Sequence, residues 1–474
     1  MTLSIFEAAR QAPDRIALVA EGTRHRTTDL AARSKRALDW LACHGVTSSH
    51  DPTVPVGLTA EMTVDAVAMA YALMSLGVPF LPLHPELGSL ERSRALASCG
   101  CSLVVDPEWA RLTPGRSDVA EPSPIPDDER WLAVVFTSGS SGTPKGVALS
   151  RRAFRASADA SADNLGWQAD DRWLLGLPYS HIGGLSILTR CLYARRPIVM
   201  APAHADRQTL FGIVEQYRVS LASLVPAQLA RWLEVTPSWC PPKSLRAVLV
   251  GGAPCRRELL EEARARHVPV LRTYGLTEAC SQICTQRYGA TPPGLYDCGP
   301  PLRGIEVACP ENLVHVRGPT LLSTYLPRAS AQAQHTDQWH FTGDRGWFDE
   351  LGHLRVLGRA DDVIITGGQN VSAHTVEEAV LSCPGVKAVC VVPIPDPVWG
   401  QIIAAMVVLD AAPSTTLEQV ERQAERRLGR LNRPRRWAVV DALPLTTSGK
   451  VDRRATADRI ARNGASSPHF TKSF

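Results

Sequence analysis

The chain has 474 residues, of which 45% are hydrophobic and 21% charged, and its mean hydropathy is −0.07. This is the composition of a globular protein that is too long for one core, so we expect at least two domains. The formal net charge of +4 is too small for this length to indicate a nucleic-acid partner, and no apolar run reaches the length of a membrane span. Because the N-terminal stretch lacks the features of a signal peptide, we expect a cytoplasmic protein.

The first two thirds of the chain alternate between helical periodicity and short apolar runs. Residues 25–46 and 64–78 repeat apolar side chains at helical spacing. Short runs typical of buried parallel strands follow: "VPFLPL", "CSLVVD", "WLAVVF", "RPIVMA", "LRAVLVGG" and "VPVLRTYG". The alternation predicts an α/β fold, a large N-terminal domain with βαβ-layered sheets.

The pattern changes after about residue 340. Glycine and aspartate separate short alternating runs in 339–368, which predicts hairpins, and the stretches 375–396 and 416–444 are typical of a small α+β unit. We therefore predict two domains, 1–358 and 359–474.

The twelve cysteines are scattered along the chain. Cys99 lies near Cys101, and Cys280 near Cys284, but paired CxxC motifs with zinc spacing are absent from the sequence. We expect reduced, mostly buried thiols, with metal binding or disulfides as the less favoured alternative.

A run of small residues follows the predicted strand "WLAVVF". Small residues let backbone N–H groups surround an anion, hydroxyls add donors, and a lysine adds positive charge. The spacing is not that of a P-loop, and Pro144 does not suit a loop that enters a helix. A flexible loop without function is the alternative. The residues concerned are Thr137, Ser138, Gly139, Ser140, Ser141, Gly142 and Lys145.

Other motifs favour a nucleotide site. Gly251 and Gly252 end a strand where a flat ring can lie against backbone, and Tyr274 can stack on a base. Glu278, next to Thr277, offers oxygen ligands for Mg²⁺. Each of these residues could instead have a purely structural role, such as forming a turn. Chance alone poorly explains why they all occur together in this order.

Three further residues complete the set. Asp344 lies in "FTGDRG", a setting suited to accepting hydrogen bonds from ribose hydroxyls. Arg359 lies in "LGRADD", and Lys450 in "LTTSGKVDRR". Taken alone, Asp344 would be a turn aspartate and Lys450 a solvated lysine.

In these motifs the chain resembles the adenylate-forming superfamily of acyl-CoA synthetases, luciferase-like enzymes and adenylation domains. The resemblance runs from "FEAARQAPDRIALV" through "TSGSSGTPKG" to "LPLTTSGKVDRR". Within the superfamily, "PYSHIGGLSILTR" and "TYGLTEACSQ" are most similar to the o-succinylbenzoate–CoA ligases of menaquinone biosynthesis.

The resemblance implies two half-reactions. A carboxylic acid and ATP give an acyl-adenylate and pyrophosphate, and CoA then displaces AMP to give a thioester. The cofactors implied are ATP and Mg²⁺, with CoA as co-substrate, and family members are often dimers or larger.

The resemblance also implies roles for individual residues. The loop of 137–146 would hold the β- and γ-phosphates, Glu278 the metal, and Lys450 the reacting carboxylate and α-phosphate. The C-terminal domain would be mobile and turn about Asp361 between half-reactions. Adenine and ribose would contact Gly251, Gly252, Ala253, Tyr274, Gly275, Thr277, Asp344 and Arg359.

The acid would lie against the segment that starts at His181. Gly184 and Ser186 would line one wall, and Arg190 would face a second carboxylate. The alternatives are a core histidine for His181 and a helix-surface salt bridge for Arg190.

Some positions depart from the family pattern. Gly183 and Ala279 replace the usual serine and threonine, which leaves the identity of the acid open. Ala373 and Thr375 stand where proline and glutamate are common. These two departures bear more on the thioester step than on adenylation.

A basic cluster in the C-terminal domain has two readings. It would contact the 3′-phosphate of CoA, or it would form a solvated helix face, which is the favoured alternative. Its members are Arg426, Arg427, Arg430, Arg433, Arg435 and Arg436.

Two other functions stay open. One is a ligase for another aryl or acyl acid that delivers to CoA or to a carrier protein. The other, of a different class, is a catalytically idle nucleotide-binding protein of the same fold, which the presence of Lys145, Glu278, Asp344 and Lys450 together disfavours.

Overall fold

The structure is a computed structural model that divides into two compact units. The first extends to Thr342 and includes Gly346–Val356, and the second contains Gly343–Arg345 and the chain from Leu357. The boundary at 358 stays a prediction. The residues described are 2–112, 120–123, 125, 128–137, 145–203, 205–234, 240–290, 296–327, 338–360, 363–367, 369–410, 415–446 and 450–463.

Strands and helices are interspersed along the chain in both units. The strands are β1 (Ile16–Ala20), β2 (Thr23–Arg26), β3 (Val56–Thr59), β4 (Phe80–Leu83), β5 (Val104–Val105), β6 (Trp131–Thr137), β7 (Lys145–Ser150), β8 (Trp173–Leu175), β9 (Ile198–Met200), β10 (Leu221–Leu224), β11 (Ala247–Val250), β12 (Val270–Leu276), β13 (Ser281–Thr285), β14 (Glu306–Ala308), β15 (Leu313–Arg317), β16 (Thr324–Leu326), β17 (His340–Phe348), β18 (Leu354–Arg359), β19 (Val363–Thr366), β20 (Gln369–Ser372), β21 (Val386–Asp396), β22 (Gly400–Leu409) and β23 (Arg436–Val439). The helices are α1 (Ile5–Gln11), α2 (Thr27–Cys43), α3 (Val64–Leu76), α4 (Ser89–Ser98), α5 (Trp109–Leu112), α6 (Arg151–Leu165), α7 (Ile182–Ala194), α8 (Arg207–Gln216), α9 (Pro226–Leu233), α10 (Arg257–Ala265), α11 (Ala373–Leu381), α12 (Leu417–Asn432) and α13 (Arg453–Asn463). Short 3₁₀ turns lie at Thr277–Ala279 and Pro310–Asn312.

Helix α3 shows how the sequence sets one of these elements. Thr63 caps its first turn by accepting a hydrogen bond from the Ala66 amide, and Gly77 ends it with a φ of 75°. Between them the helix is apolar on all sides, and Ala66 to Leu76 are buried. A helix apolar all round is stable only inside a core, and α3 packs against α2 in the core of the first unit.

Two sheets dominate the first unit. The larger has the order β13-β12-β11-β10-β8-β9-β1-β2, and its inner strands pair in parallel, from β12 through β8 to β1. The second has the order β16-β7-β6-β4-β3-β5 and mixes parallel pairs with the antiparallel hairpin β6–β7. The predicted strand runs fall in β4, β5, β6, β9, β11 and β12.

A four-stranded sheet follows, with the order β14-β15-β17-β18. Most of it belongs to the first unit, while Gly343–Arg345 of β17 and Leu357–Arg359 of β18 belong to the second.

The second unit is built on the long antiparallel hairpin β21–β22. The hairpin β19–β20 continues this sheet on one side, and β23 pairs in parallel with β22. Side chains of α11 and α12, among them Val376 and Val420, bury the sheet face that holds Val391 and Ile403. This is the α+β unit that the sequence predicts.

All twelve cysteines are free thiols, and seven of them are buried. Burial raises the pKa of the Cys255 thiol to about 11 and that of Cys99 to about 12. Among the described residues, no helix is both long and apolar enough to span a membrane.

Candidate active site

The carboxyl ends of the parallel strands gather several predicted residues at one edge of the large sheet. Gly251 follows the end of β11, and Thr277 follows the end of β12. The segment that leads into α7 follows β8, which runs parallel to both through β10. In open α/β sheets this edge is where ligands bind.

Two glycines at the ends of β11 and β12 leave no room for a side chain. A Cβ on Gly275 would lie 1.8 Å from the carbonyl oxygen of Ser281, and one on Gly251 would lie 2.4 Å from that of Thr273. Both glycines are therefore required by close backbone approach. Tyr274 is only 9% exposed and belongs to a core cluster with Ile283, and its contact with adenine stays a prediction.

Glu278 and Lys145 are brought together by a residue that the sequence analysis missed. The Tyr325 hydroxyl donates a hydrogen bond to Glu278 Oε1 at 3.2 Å. The Lys145 ammonium lies 5.7 Å from the centroid of the same ring, within the range of a cation–π contact. Tyr325 therefore touches both of the charged residues assigned to ATP in this unit.

The donor set at Glu278 fits Mg²⁺. This ion is usually held by one or two carboxylates together with substrate phosphates and water. Glu278 is half-buried and supplies one carboxylate, and the neighbouring Thr277 adds a hydroxyl in the same turn. The remaining ligands would come from ATP and solvent.

On the side predicted for the acid, α7 begins directly after His181. The imidazole is half-buried and faces His84, with ring centroids 6.1 Å apart. Gly184 and Ser186 are buried in the first turns, where the Ser186 hydroxyl donates to the carbonyl of Gly183 at 2.9 Å. The Ser186 hydroxyl is thus already engaged in a hydrogen bond to the helix backbone.

Arg190 is inside the protein and not on a helix surface. Its exposure is 2%, and no carboxylate of the described residues pairs with it, so the alternative of a helix-surface salt bridge is wrong. Its Nη2 donates to Ser157 Oγ at 3.1 Å, and Ser157 in turn donates to the carbonyl of Cys280 at 2.7 Å. Burial lowers the pKa of Arg190 to about 10, which still leaves it charged at neutral pH.

The second unit holds the residues predicted for ribose. Arg359 Nη1 lies 3.5 Å from Asp344 Oδ1, and Gly343 precedes the aspartate with a φ of 78°. The Asp344 side chain is mostly buried and that of Arg359 is exposed.

Lys450 is also in the second unit, at an exposed turn. Its backbone N–H donates to Thr446 Oγ1 at 3.2 Å, and its carbonyl accepts from the Thr446 amide at 2.7 Å. Arg453, at the start of the next helix, is anchored to Glu377 Oε1 at 2.8 Å. These bonds fix the backbone on which the lysine stands.

The arginines of the basic cluster have different surroundings. Arg426, Arg427 and Arg430 are exposed, while Arg433 pairs with Glu425 at 2.9 Å. The Arg435 guanidinium lies 3.9 Å from the ring centroid of Trp399. A role toward CoA stays a prediction.

Some predicted residues lie outside the described ones. These are Ser138, Gly139, Ser140, Ser141 and Gly142 of the loop, and the hinge residue Asp361. The loop is bracketed by the pair Thr137 and Lys145, which face each other across the hairpin β6–β7.

The pattern of the chain gave no signal for Tyr325 or Ser157. Tyr325 stands in a short run of mixed polarity, "LLSTYLP", and Ser157 on a helix rich in alanine and serine. Their contacts join residues 47 and 33 positions apart, so only the folded chain reveals them.

Two family models match this chain. Residues 5–326 match the model of the AMP-binding enzyme, and residues 375–450 match that of the AMP-binding enzyme C-terminal domain. The chain belongs to the AMP-binding enzyme family. The first match covers more than half of the chain and includes the residues at the ends of β11 and β12.

Two curated relatives in this family match nearly the full length. The 2-succinylbenzoate–CoA ligase of Bacillus subtilis (strain 168) is 32% identical, over 97% of this chain and 98% of the relative. The enzyme of the same name from Listeria monocytogenes serotype 4b is 30% identical, over 97% and 99%.

Solved structures of AMP-binding enzymes agree with this assignment. The o-succinylbenzoate CoA synthetase (MenE) of Bacillus subtilis, in complex with the acyl-adenylate intermediate, has a TM-score of 0.85 and 28% identity, over 100% of this chain and 99% of that one. Its complex with ATP and magnesium has a TM-score of 0.82 and 30% identity, over 96% and 98%. The predicted fold class, and the resemblance to adenylate-forming enzymes and o-succinylbenzoate–CoA ligases, are confirmed.

Proposed function

We propose that this chain is an ATP-dependent acid–CoA ligase that converts o-succinylbenzoate to o-succinylbenzoyl-CoA through an acyl-adenylate, in menaquinone biosynthesis. The observation that carries the proposal is the position of Arg190. One hydroxyl, that of Ser157, separates this buried guanidinium from the turn that holds Glu278.

The substrate has two carboxylates, and the two need different partners. One must be activated by ATP, and the other must be recognised. Arg190 is a buried guanidinium without a carboxylate partner among the described residues, so its charge is only partly offset and a substrate carboxylate would complete the compensation. The full-length similarity to 2-succinylbenzoate–CoA ligases supports the same acid.

The chemistry needs positioning and charge neutralisation more than covalent help. In the first half-reaction a carboxylate oxygen attacks the α-phosphorus of ATP, and pyrophosphate leaves. Lys145 offsets charge on the β- and γ-phosphates, and Lys450 offsets the charge that develops where carboxylate and α-phosphate meet. Glu278 would hold Mg²⁺, which would supply Lewis-acid neutralisation of phosphate charge.

In the second half-reaction the CoA thiolate attacks the acyl carbonyl and AMP leaves. Because Lys450 belongs to the second unit, the C-terminal domain would turn between half-reactions, with Asp361 as the hinge. The hinge, the loop residues 138–142, a homo-oligomeric state and a cytoplasmic location stay predictions from the sequence.

The test is ATP–pyrophosphate exchange with a panel of aryl and acyl acids, followed by mass spectrometry of the products. We expect exchange with o-succinylbenzoate above the other acids, and a CoA thioester as product. Exchange with a different acid would contradict the substrate, and product found only on a carrier protein would contradict the acceptor. An absence of exchange with every acid would indicate the idle nucleotide-binding alternative.

A further inference from the structure

Tyr325 lies on a segment whose backbone is hydrogen-bonded both to the strand that begins at Lys145 and to the turn that holds Glu278. Strand β16 pairs antiparallel with β7, and Leu326 lies opposite Gly146, next to Lys145. At the other end of the segment, the Leu322 amide donates to the carbonyl of Glu278 at 2.8 Å. The backbone therefore fixes the distance between the lysine and the glutamate.

The Tyr325 side chain adds a second link between the same two residues. Its hydroxyl donates a hydrogen bond to Glu278 Oε1 at 3.2 Å. Its ring lies beneath the Lys145 ammonium at 5.7 Å. One side chain thus contacts both the carboxylate and the cation.

A buried histidine packs against this ring. His340 faces the ring, with centroids 6.5 Å apart, and is 6% exposed. Its imidazole is neutral at physiological pH, since burial lowers its pKa to about 4. Among the described residues, the Lys145 ammonium is a cation that lies within cation–π range of this ring.

We propose that Tyr325 is a positioning residue that couples Lys145 to Glu278, so that the phosphate-side cation and the metal-binding carboxylate are set together. The proposal rests on the proposed function. It predicts that the hydroxyl acts through the metal and that the ring acts through the lysine, so the two parts can be tested separately.

Two variants separate the contribution of the Tyr325 hydroxyl from that of its ring. Tyr325→Phe keeps the ring and removes the bond to Glu278, and Tyr325→Leu removes both contacts. We expect Tyr325→Phe to weaken binding of MgATP about tenfold, as for loss of a hydrogen bond to a charged group, and to leave binding of metal-free ATP unchanged. Tyr325→Leu should weaken binding of ATP both with and without Mg²⁺.

The readout is the dissociation constant of ATP, measured by calorimetry with Mg²⁺ and with EDTA. Tyr71→Phe is the matched control, because it removes a buried hydroxyl that donates to the Leu188 carbonyl at 3.3 Å, away from this site. It should leave both constants unchanged. A cycle with Glu278→Gln adds a second measurement: in that background Tyr325→Phe should have no further effect on MgATP.

Equal loss of affinity with and without Mg²⁺ in Tyr325→Phe would overturn the proposal, as would wild-type affinity for MgATP. An effect of Tyr325→Phe that persists in the Glu278→Gln background would overturn it too. The acid enters none of these measurements. A chain that binds MgATP but shows no exchange with o-succinylbenzoate therefore contradicts the proposed substrate and leaves the result for Tyr325 intact.

Discussion

The guanidinium carbon of Arg190 lies 5.8 Å from the ring centroid of Trp173, in the interior of the first unit. The indole face and one hydroxyl, that of Ser157, are the polar partners that the structure records for this buried cation. A cation–π contact and one neutral hydrogen bond offset only part of the cost of burying a charge.

Replacing Arg190 by Met should therefore separate binding from stability. We expect the KM for o-succinylbenzoate to rise about a hundredfold, because a carboxylate partner is lost, and the KM for ATP to stay unchanged. The free energy of unfolding should stay the same or rise by about 1 kcal/mol, since a buried charge is removed. Steady-state kinetics and urea denaturation check the two parts.

Arg195→Met is the control for Arg190→Met. Arg195 is also buried, at the end of the same helix, but its guanidinium donates to Gln11 Oε1 and to the carbonyl of Thr2, each at 3.1 Å. Its loss should lower stability without a change in the KM for the acid. If the two variants behave alike, Arg190 is a structural residue.

Lys450→Ala should slow one half-reaction strongly and spare the other. We expect formation of the acyl-adenylate to fall by about 10²–10³-fold or more, as when a donor to a developing charge is removed. Thioester formation from supplied acyl-adenylate and CoA should be retained. Lys387→Ala, which breaks an exposed ion pair with Asp410 in the same unit, should affect neither step. Equal loss of both steps in Lys450→Ala would contradict the alternation of domains.

Gly275→Ala should damage both the fold and the ATP site. The added methyl group would meet the carbonyl of Ser281 at 1.8 Å, so the turn that carries Glu278 must shift. We expect a loss of about 3 kcal/mol in the free energy of unfolding and weaker binding of MgATP. Denaturation and calorimetry measure the two effects.

Gly212→Ala supplies the matched control. Gly212 lies within α8, where an added Cβ meets no atom within 4 Å. Higher helix propensity should stabilise this variant by about 0.5–1 kcal/mol and leave ATP binding unchanged. A Gly275→Ala variant as stable as the wild type would show that the turn is not constrained as described.

His340 should make stability depend on pH. Burial lowers its pKa to about 4, whereas the unfolded chain protonates near the usual pKa of about 6.5. The unfolded state therefore binds more protons between these values, and stability is lost as the pH falls from about 6.5 towards 4. The expected loss between pH 8 and pH 5 is about 2 kcal/mol.

His340→Gln should remove most of this pH dependence, as measured by urea denaturation at a series of pH values. His267→Asn replaces an exposed histidine with a φ of 56° and should keep the wild-type profile. An unchanged profile in His340→Gln would assign the loss of stability to other groups.

The sequence alone determined the features that depend on neighbours along the chain. The glycine- and serine-rich loop, the predicted strand ends at Gly251 and Gly275, and the order of the motifs carried the family resemblance. Local composition is enough to indicate these features, because short apolar runs and runs of small residues are recognised from neighbouring residues alone. The predicted fold class and enzyme family followed from them.

The tertiary structure decided which side chains meet. Arg190 is on a helix, and periodicity did not distinguish a surface ion pair from a buried cation. Its burial depends on α6 and β13, which come from other parts of the chain. Likewise, Tyr325 reaches Glu278 only because β16 pairs with β7. The local sequence pattern predicts neither this strand pairing nor this hydrogen bond. Such contacts arise from packing between distant segments, whereas sequence periodicity reports one segment at a time.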